Sequence, residues 1–121
     1  MARCDQGYLC RVCNAEVEDI VDSELYLRFV IGEIDPETLH TSRECHLRCN
    51  ALLSQFISDS RFEPRTIVDG DFSMHALDSE FVRTRSELVN RGYARLWEIM
   101  QDEVGIAVID YPLEEVQSKW K

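Results

Sequence analysis

The sequence predicts a small α+β domain, and three observations carry that prediction. The run Leu25–Ile31 alternates, with Leu25, Leu27, Phe29 and Ile31 on one face and Tyr26, Arg28 and Val30 on the other. That is the period of a half-buried strand. Thr41-Ser42-Arg43-Glu44 matches a capping box, where a hydroxyl and a carboxylate three residues on satisfy the free N–H groups of a helix start. Beyond Asp78, the residues Phe81, Leu88, Val89, Leu96, Trp97 and Met100 keep helical spacing over a long amphipathic stretch.

Each element follows in order. Val17, Ile20 and Val21 predict a first short strand, and the polar step Asp22-Ser23-Glu24 a hairpin turn into the strand Leu25–Ile31. Gly32 and Asp35-Pro36 end that strand. The helix opened by the capping box runs to about Ser58 and buries Cys49, Leu52, Leu53, Phe56 and Ile57. Thr66–Val68 reads as a strand and Asp69-Gly70-Asp71 as a turn. Asp78 is the N-cap of the long helix, and Gly92, on its apolar stripe, either admits close packing or splits it. Gly105 follows its end, Ile106–Ile109 is apolar and β-branched and reads as a strand, and Pro112 stops it. Leu113–Trp120 closes the chain as a short helix or ordered tail. There is no repeat, low-complexity tract or linker, so residues 1–121 form a single domain.

Composition narrows the class. The 121 residues are 45% hydrophobic and 30% charged, which suits a globular domain that buries roughly two-thirds of its unfolded surface. No apolar stretch reaches the ~18–20 residues of a membrane span. The start, MARCDQGYLCRVC, has no apolar leader core, so a cytoplasmic protein without a membrane segment is expected. The formal net charge of −10 repels phosphate backbones and disfavours nucleic-acid binding.

The chemistry lies in the cysteines. Cys4, Cys10, Cys13, Cys45 and Cys49 are odd in number, which argues for metal or redox use over a disulfide framework. Cys10-Arg-Val-Cys13 supplies two sulfurs from one tight bend. His46-Leu47-Arg48-Cys49 offers a second pair three residues apart, on one face of the predicted helix start, where partial positive charge favours thiolates. Four soft donors in two pairs suit tetrahedral Zn2+. Cys45 and Cys49, four apart, form an alternative second pair and a four-cysteine site. In the metal-free alternative, Cys45 and Cys49 are small buried apolar residues and His46 is exposed. Cys4 reads as a free thiol. His40 and His75 are isolated surface or hydrogen-bonded histidines, with His40 a spare ligand if His46 is unused. Asp69-Gly70-Asp71 has too few carboxylates for calcium.

With its Cys10–Cys13 knuckle, a hairpin over about Val17–Ile31, and His46 and Cys49 in the first turn of a helix, the segment 8–58 resembles a treble-clef zinc finger. The resemblance is one of architecture rather than to a named family. It implies a zinc-stabilised module of knuckle, β-hairpin and helix, packed against a helix and short-strand extension over 61–121. Treble clefs serve nucleic-acid binding, protein binding and catalysis alike, so no activity comes with it.

A set of four protein ligands leaves no open coordination position for catalysis, and the deaminase pattern HxE…PCxxC is absent. The reading is therefore a zinc-binding protein that acts through protein interactions. A small enzyme or thiol-redox protein using the zinc cysteines is one alternative, and a nucleic-acid-binding finger another. Charge is segregated: Glu16, Glu18, Asp19, Asp22 and Glu24 lie within 16–24, and Arg83, Arg85, Arg91 and Arg95 within 83–95. Either the two runs are solvated or paired inside the chain, or one faces a partner, which is another copy or a separate protein.

Overall fold

Ser23 decides the first helix. Its Oγ accepts the backbone N–H of Tyr26 at 3.0 Å and caps α1, Glu24–Val30. The computed structural model describes residues 9–63, 68 and 70–120, apart from the side chains of Lys119 and Trp120. Among the described residues there is no β-strand, and about 54% are helical. The α+β class and its hairpin are thus overturned. The alternation over Leu25–Ile31 misled because α1 buries Glu24, Leu25, Tyr26, Leu27, Phe29 and Val30. A short helix buried on nearly every side has no polar stripe, and periodicity cannot tell it from a strand. The expected strand over Val17–Val21 is a single 3-10 turn, Ile20–Asp22, and pairing among the described residues is limited to the isolated antiparallel bridges Leu9–Glu16 and Ser23–His46.

Asp35-Pro36 starts an element as well as ending one. Asp35 Oδ1 accepts the N–H of Thr38 at 2.6 Å and Pro36 occupies the first turn of α2, Pro36–Thr41. Thr41 therefore closes a helix, and the expected capping box does not form. The expected helix to Ser58 is broken into a 3-10 turn, Leu47–Cys49, and one turn of α3, Ala51–Ser54, which Asn50 caps by accepting the N–H of Leu53 at 3.3 Å. Of its expected stripe, Leu53 and Phe56 are buried, whereas Leu52 is exposed.

The long helix forms as expected. Asp78 Oδ2 accepts the N–H groups of Glu80 and Phe81, both at 3.1 Å, and α4 spans Ser79–Gln101. Gly92 does not split it. A Cβ there would lie 2.5 Å from Ile31 Cγ2 and 2.9 Å from Leu27 Cδ1, so the missing side chain is what lets α4 lie against α1. The core between them includes Leu27, Phe29, Val30, Val89 and Leu96, all fully buried, with Tyr93 and Ile99 beside them. Phe81 and Met100, expected inside, are exposed.

The strand expected at Ile106–Ile109 is also overturned: the segment is mostly exposed and passes into a 3-10 turn, Val108–Asp110. Leu113–Trp120 does hold a helix, α5, Glu114–Trp120. Thr66, Ile67, Asp69 and Cys4 lie outside the described residues, Val68 has no regular structure, and Gly70–Phe72 is a 3-10 turn.

The two charge runs do not pair with each other among the described residues. Arg85 pairs with Glu33, Arg91 forks onto Glu115 at 2.8 and 2.7 Å, and Arg83 reaches Glu80 and Glu87, both at 3.4 Å. On the acidic side Asp22 takes Arg48 at 2.7 Å and Glu24 takes Arg11 at 3.0 Å. No described helix is long and apolar enough to cross a membrane.

Candidate metal centre

Backbone hydrogen bonds shape the knuckle before any ligand is considered. Cys10 N–H donates to Ala15 O and Asn14 N–H to Cys10 O, each at 2.8 Å, and Asn14 takes a left-handed φ of 62° that turns the chain back. Asn is among the few non-glycine residues that tolerate that conformation. Arg11 N–H donates to Glu44 O at 2.9 Å and Glu24 N–H to Cys45 O at 2.8 Å. The segment carrying His46 is thereby held between the knuckle and the start of α1.

Cys10, Cys13, His46 and Cys49 each offer a ligand atom, and the four atoms all lie within 4.8 Å of one another. His46 Nδ1 is 3.3 Å from Cys13 Sγ and 3.8 Å from Cys49 Sγ. A tetrahedral ion with metal–sulfur bonds of about 2.3 Å and metal–nitrogen bonds of about 2.0–2.1 Å spaces its donors about 3.5–3.8 Å apart, so the group can hold a metal ion. His46 Nε2 sits 2.9 Å from Glu16 O. A carbonyl only accepts, so Nε2 carries the proton and the Nδ1 lone pair faces the sulfurs, the arrangement a metal-binding imidazole needs.

The sulfurs differ in their surroundings. Burial raises the Cys10 thiol, but the N–H groups of Cys13, His46 and Val12 outweigh it and bring its pKa down to about 5. Two of those amides, Val12 and His46, lie 3.4 Å from its sulfur. Cys49 is pushed up to about 11 by burial and by the crowding of Cys13 and Cys10. Thiols packed this closely resist losing their protons together, and a divalent cation among them reverses that balance. Cys45, the alternative ligand, lies outside the group. It is fully buried, its thiol donates to His46 O at 3.4 Å, and burial pushes its pKa up to about 12.

Two carboxylates that the sequence reading assigned elsewhere tie the centre to the fold. Glu24, expected in a hairpin turn, is 2% exposed; its Oε2 accepts from Arg11 Nη2 at 3.0 Å and from Asn50 Nδ2 at 2.7 Å. It thus links the knuckle and the residue after Cys49 to α1. Glu44, expected in a capping box, is equally buried; its Oε1 accepts from Ser23 Oγ at 2.7 Å, while burial pushes the carboxyl above the usual range. No spacing rule in the sequence marks either role. His40 and His75 are exposed and outside the group.

Four protein donors complete a tetrahedron, and a closed set of this kind suits a structural ion rather than a catalytic one. No protein-family profile matches the chain, and neither a curated protein nor a solved structure shows significant similarity to it.

Proposed function

We propose that this chain is a small protein-interaction domain whose N-terminal half is held by one structural Zn2+ on Cys10, Cys13, His46 and Cys49. The convergence of those four donors within 4.8 Å, with the His46 tautomer set by Glu16 O, is the observation that carries the reading. Zinc is the ion of choice for three thiolates and an imidazole, because the set is soft and the geometry tetrahedral. A protein partner fits the net charge of −10, which repels nucleic acid.

The test is elemental analysis of the purified protein, followed by chelator titration watched by circular dichroism. About one zinc per chain and cooperative loss of helix on chelation are expected. Metal-free protein with an unchanged melting curve overturns the metal. His46→Ala should strip zinc and Cys45→Ser should keep it; the reverse result makes the site a four-cysteine one.

A further inference from the structure

Four exposed apolar side chains follow one another around the C-terminal end of α4. Met100 is 40% exposed, Val104 95%, Val108 40% and Ile109 49%. Three belong to the unbroken apolar run Val104-Gly-Ile-Ala-Val-Ile109, from which the core takes only Ile106, and that partly. Exposed runs of this length are rare on surfaces that meet only water.

The run is held in place. Asp102 Oδ1 accepts the N–H groups of Val104 and Gly105 at 3.0 and 2.9 Å, and Gly105 takes a φ of 92°. At the other end Arg95 donates to Asp110 O at 2.8 Å and to Tyr111 O at 3.0 Å, and Gln117 donates to Asp110 O at 3.1 Å. The apolar side chains are thus presented on a fixed frame.

That frame is acidic. Between Arg95 and Lys119 there is no lysine or arginine, whereas Asp102, Glu103, Asp110 and Glu114 fall there beside Glu98 and Glu115, which Arg95 and Arg91 already engage. A second copy of this chain is a poor occupant, because a two-fold contact sets one acidic frame against another. A head-to-tail contact through the arginines of α4 is disfavoured as well, since they are engaged within the chain on Glu80, Glu87, Glu33, Glu115 and the carbonyls of Asp110 and Tyr111.

We propose that the surface over Met100–Asp110 docks a basic, apolar segment of another protein, in which lysines or arginines flank aliphatic side chains. The aliphatic groups cover Val104, Val108 and Ile109, and the cations meet Asp102 and Glu103. This rests on the interaction role proposed above and not on the metal.

Three fluorescent peptides of equal length test it against the full chain by anisotropy: an amphipathic Lys/Leu peptide, its Glu/Leu counterpart and a Lys/Ser counterpart. The Lys/Leu peptide should bind about 10-fold or more tighter than either control, and more weakly as salt rises. Val104→Asp with Ile109→Asp should lower its affinity about 10-fold or more, and Asp102→Asn with Glu103→Gln should weaken it and flatten the salt dependence. Equal binding of the Lys/Ser peptide reduces the effect to net charge and overturns the proposal. So does undiminished binding by the Val104→Asp/Ile109→Asp protein, absence of binding by all three peptides, or a dimer of the parent that this variant abolishes. Zinc content and melting curve are read on the same samples. Metal-free protein that still binds the Lys/Leu peptide defeats the metal reading alone.

Discussion

The two ends of this molecule are held by different kinds of force. Around α4 the chain relies on apolar packing: Val89, Tyr93, Leu96 and Ile99 pack with α1 residues in one continuous core. Around the knuckle the buried apolar set shrinks to Cys10, Val17 and Cys45, with Cys49 packed on it. What surrounds that cluster is polar and buried, namely Ser23, Glu24, Glu44 and His46. Burial is worth roughly 25 cal/mol per Å² of apolar surface, so three small side chains cannot match a helix interface. A structural zinc, with apparent binding free energies of ~10–16 kcal/mol in small fingers, can make up that deficit. Where buried apolar side chains run out, Cys10, Cys13, His46 and Cys49 come together instead.

With zinc bound as proposed, the contrast breaks most visibly when that zinc is taken away. Cys10→Ser should drop zinc from about one per chain to near none. Hydrogen exchange should then speed at the amides of Arg11, Asn14 and Glu24 while those inside α4 stay protected, because ~10–16 kcal/mol is removed from one end only. Uniform loss of protection along the chain instead means that the two ends form one cooperative unit.

The opposite end has its own weak point. Gly92→Ala places a methyl against Ile31 Cγ2 and Leu27 Cδ1 in a closed core. Overpacking of this sort costs about 1–3 kcal/mol, and the better helix propensity of alanine returns up to ~1 kcal/mol. A net loss of about 1–2 kcal/mol in denaturant unfolding, with zinc content unchanged, is the expected result. A stabilised Gly92→Ala protein shows that α1 and α4 can separate freely.

Glu24 joins the two regimes, since it starts α1 and accepts from Arg11 and Asn50. Glu24→Gln keeps the shape and removes the charge. A loss of about 1–2 kcal/mol is expected, because the bond from Asn50 becomes a neutral one and the Arg11 guanidinium loses its counter-charge, together with faster zinc release to a chelator. Unaltered release kinetics confine Glu24 to packing.

The smallest effects belong to the arginines of α4. Arg95 is largely covered and bonded to two carbonyls, so Arg95→Ala should cost about 1 kcal/mol. Arg91 and Glu115 are both more than half exposed, so Arg91→Ala should leave the melting temperature where it was. Equal effects of the two substitutions count against the burial argument.

The grouping of Cys10, Cys13, His46 and Cys49 was legible because its constraint is local: two cysteines in one bend, and a histidine and cysteine three apart. α4 was legible because its cap and amphipathic period extend over many turns. The elements between failed where a short apolar run met burial on several sides. Leu25–Ile31 alternates, yet it is a helix because Ser23 caps it and the core surrounds it. Thr41-Ser42-Arg43-Glu44 has capping chemistry, yet Asp35 and Pro36 start a helix earlier and Glu44 is drawn inward by Ser23. Both outcomes are tertiary choices that no window of neighbours contains. The mostly exposed segment Ile106–Ile109 looked like a strand for the same reason, since composition records an apolar segment without recording what covers it.

The spacing of the four donors has one more consequence. With an ion bound, Cys10 and Cys49 become the ends of a closed ring of chain that contains all of α1 and α2. A cross-link around a loop of roughly 40 residues removes about 4 kcal/mol of freedom from the unfolded chain, by the polymer argument used for disulfides. A disulfide ring of that size persists only under oxidising conditions. A metal-closed ring forms from reduced thiols, and it opens again when a stronger chelator competes, so the topology of the chain itself becomes a function of available metal.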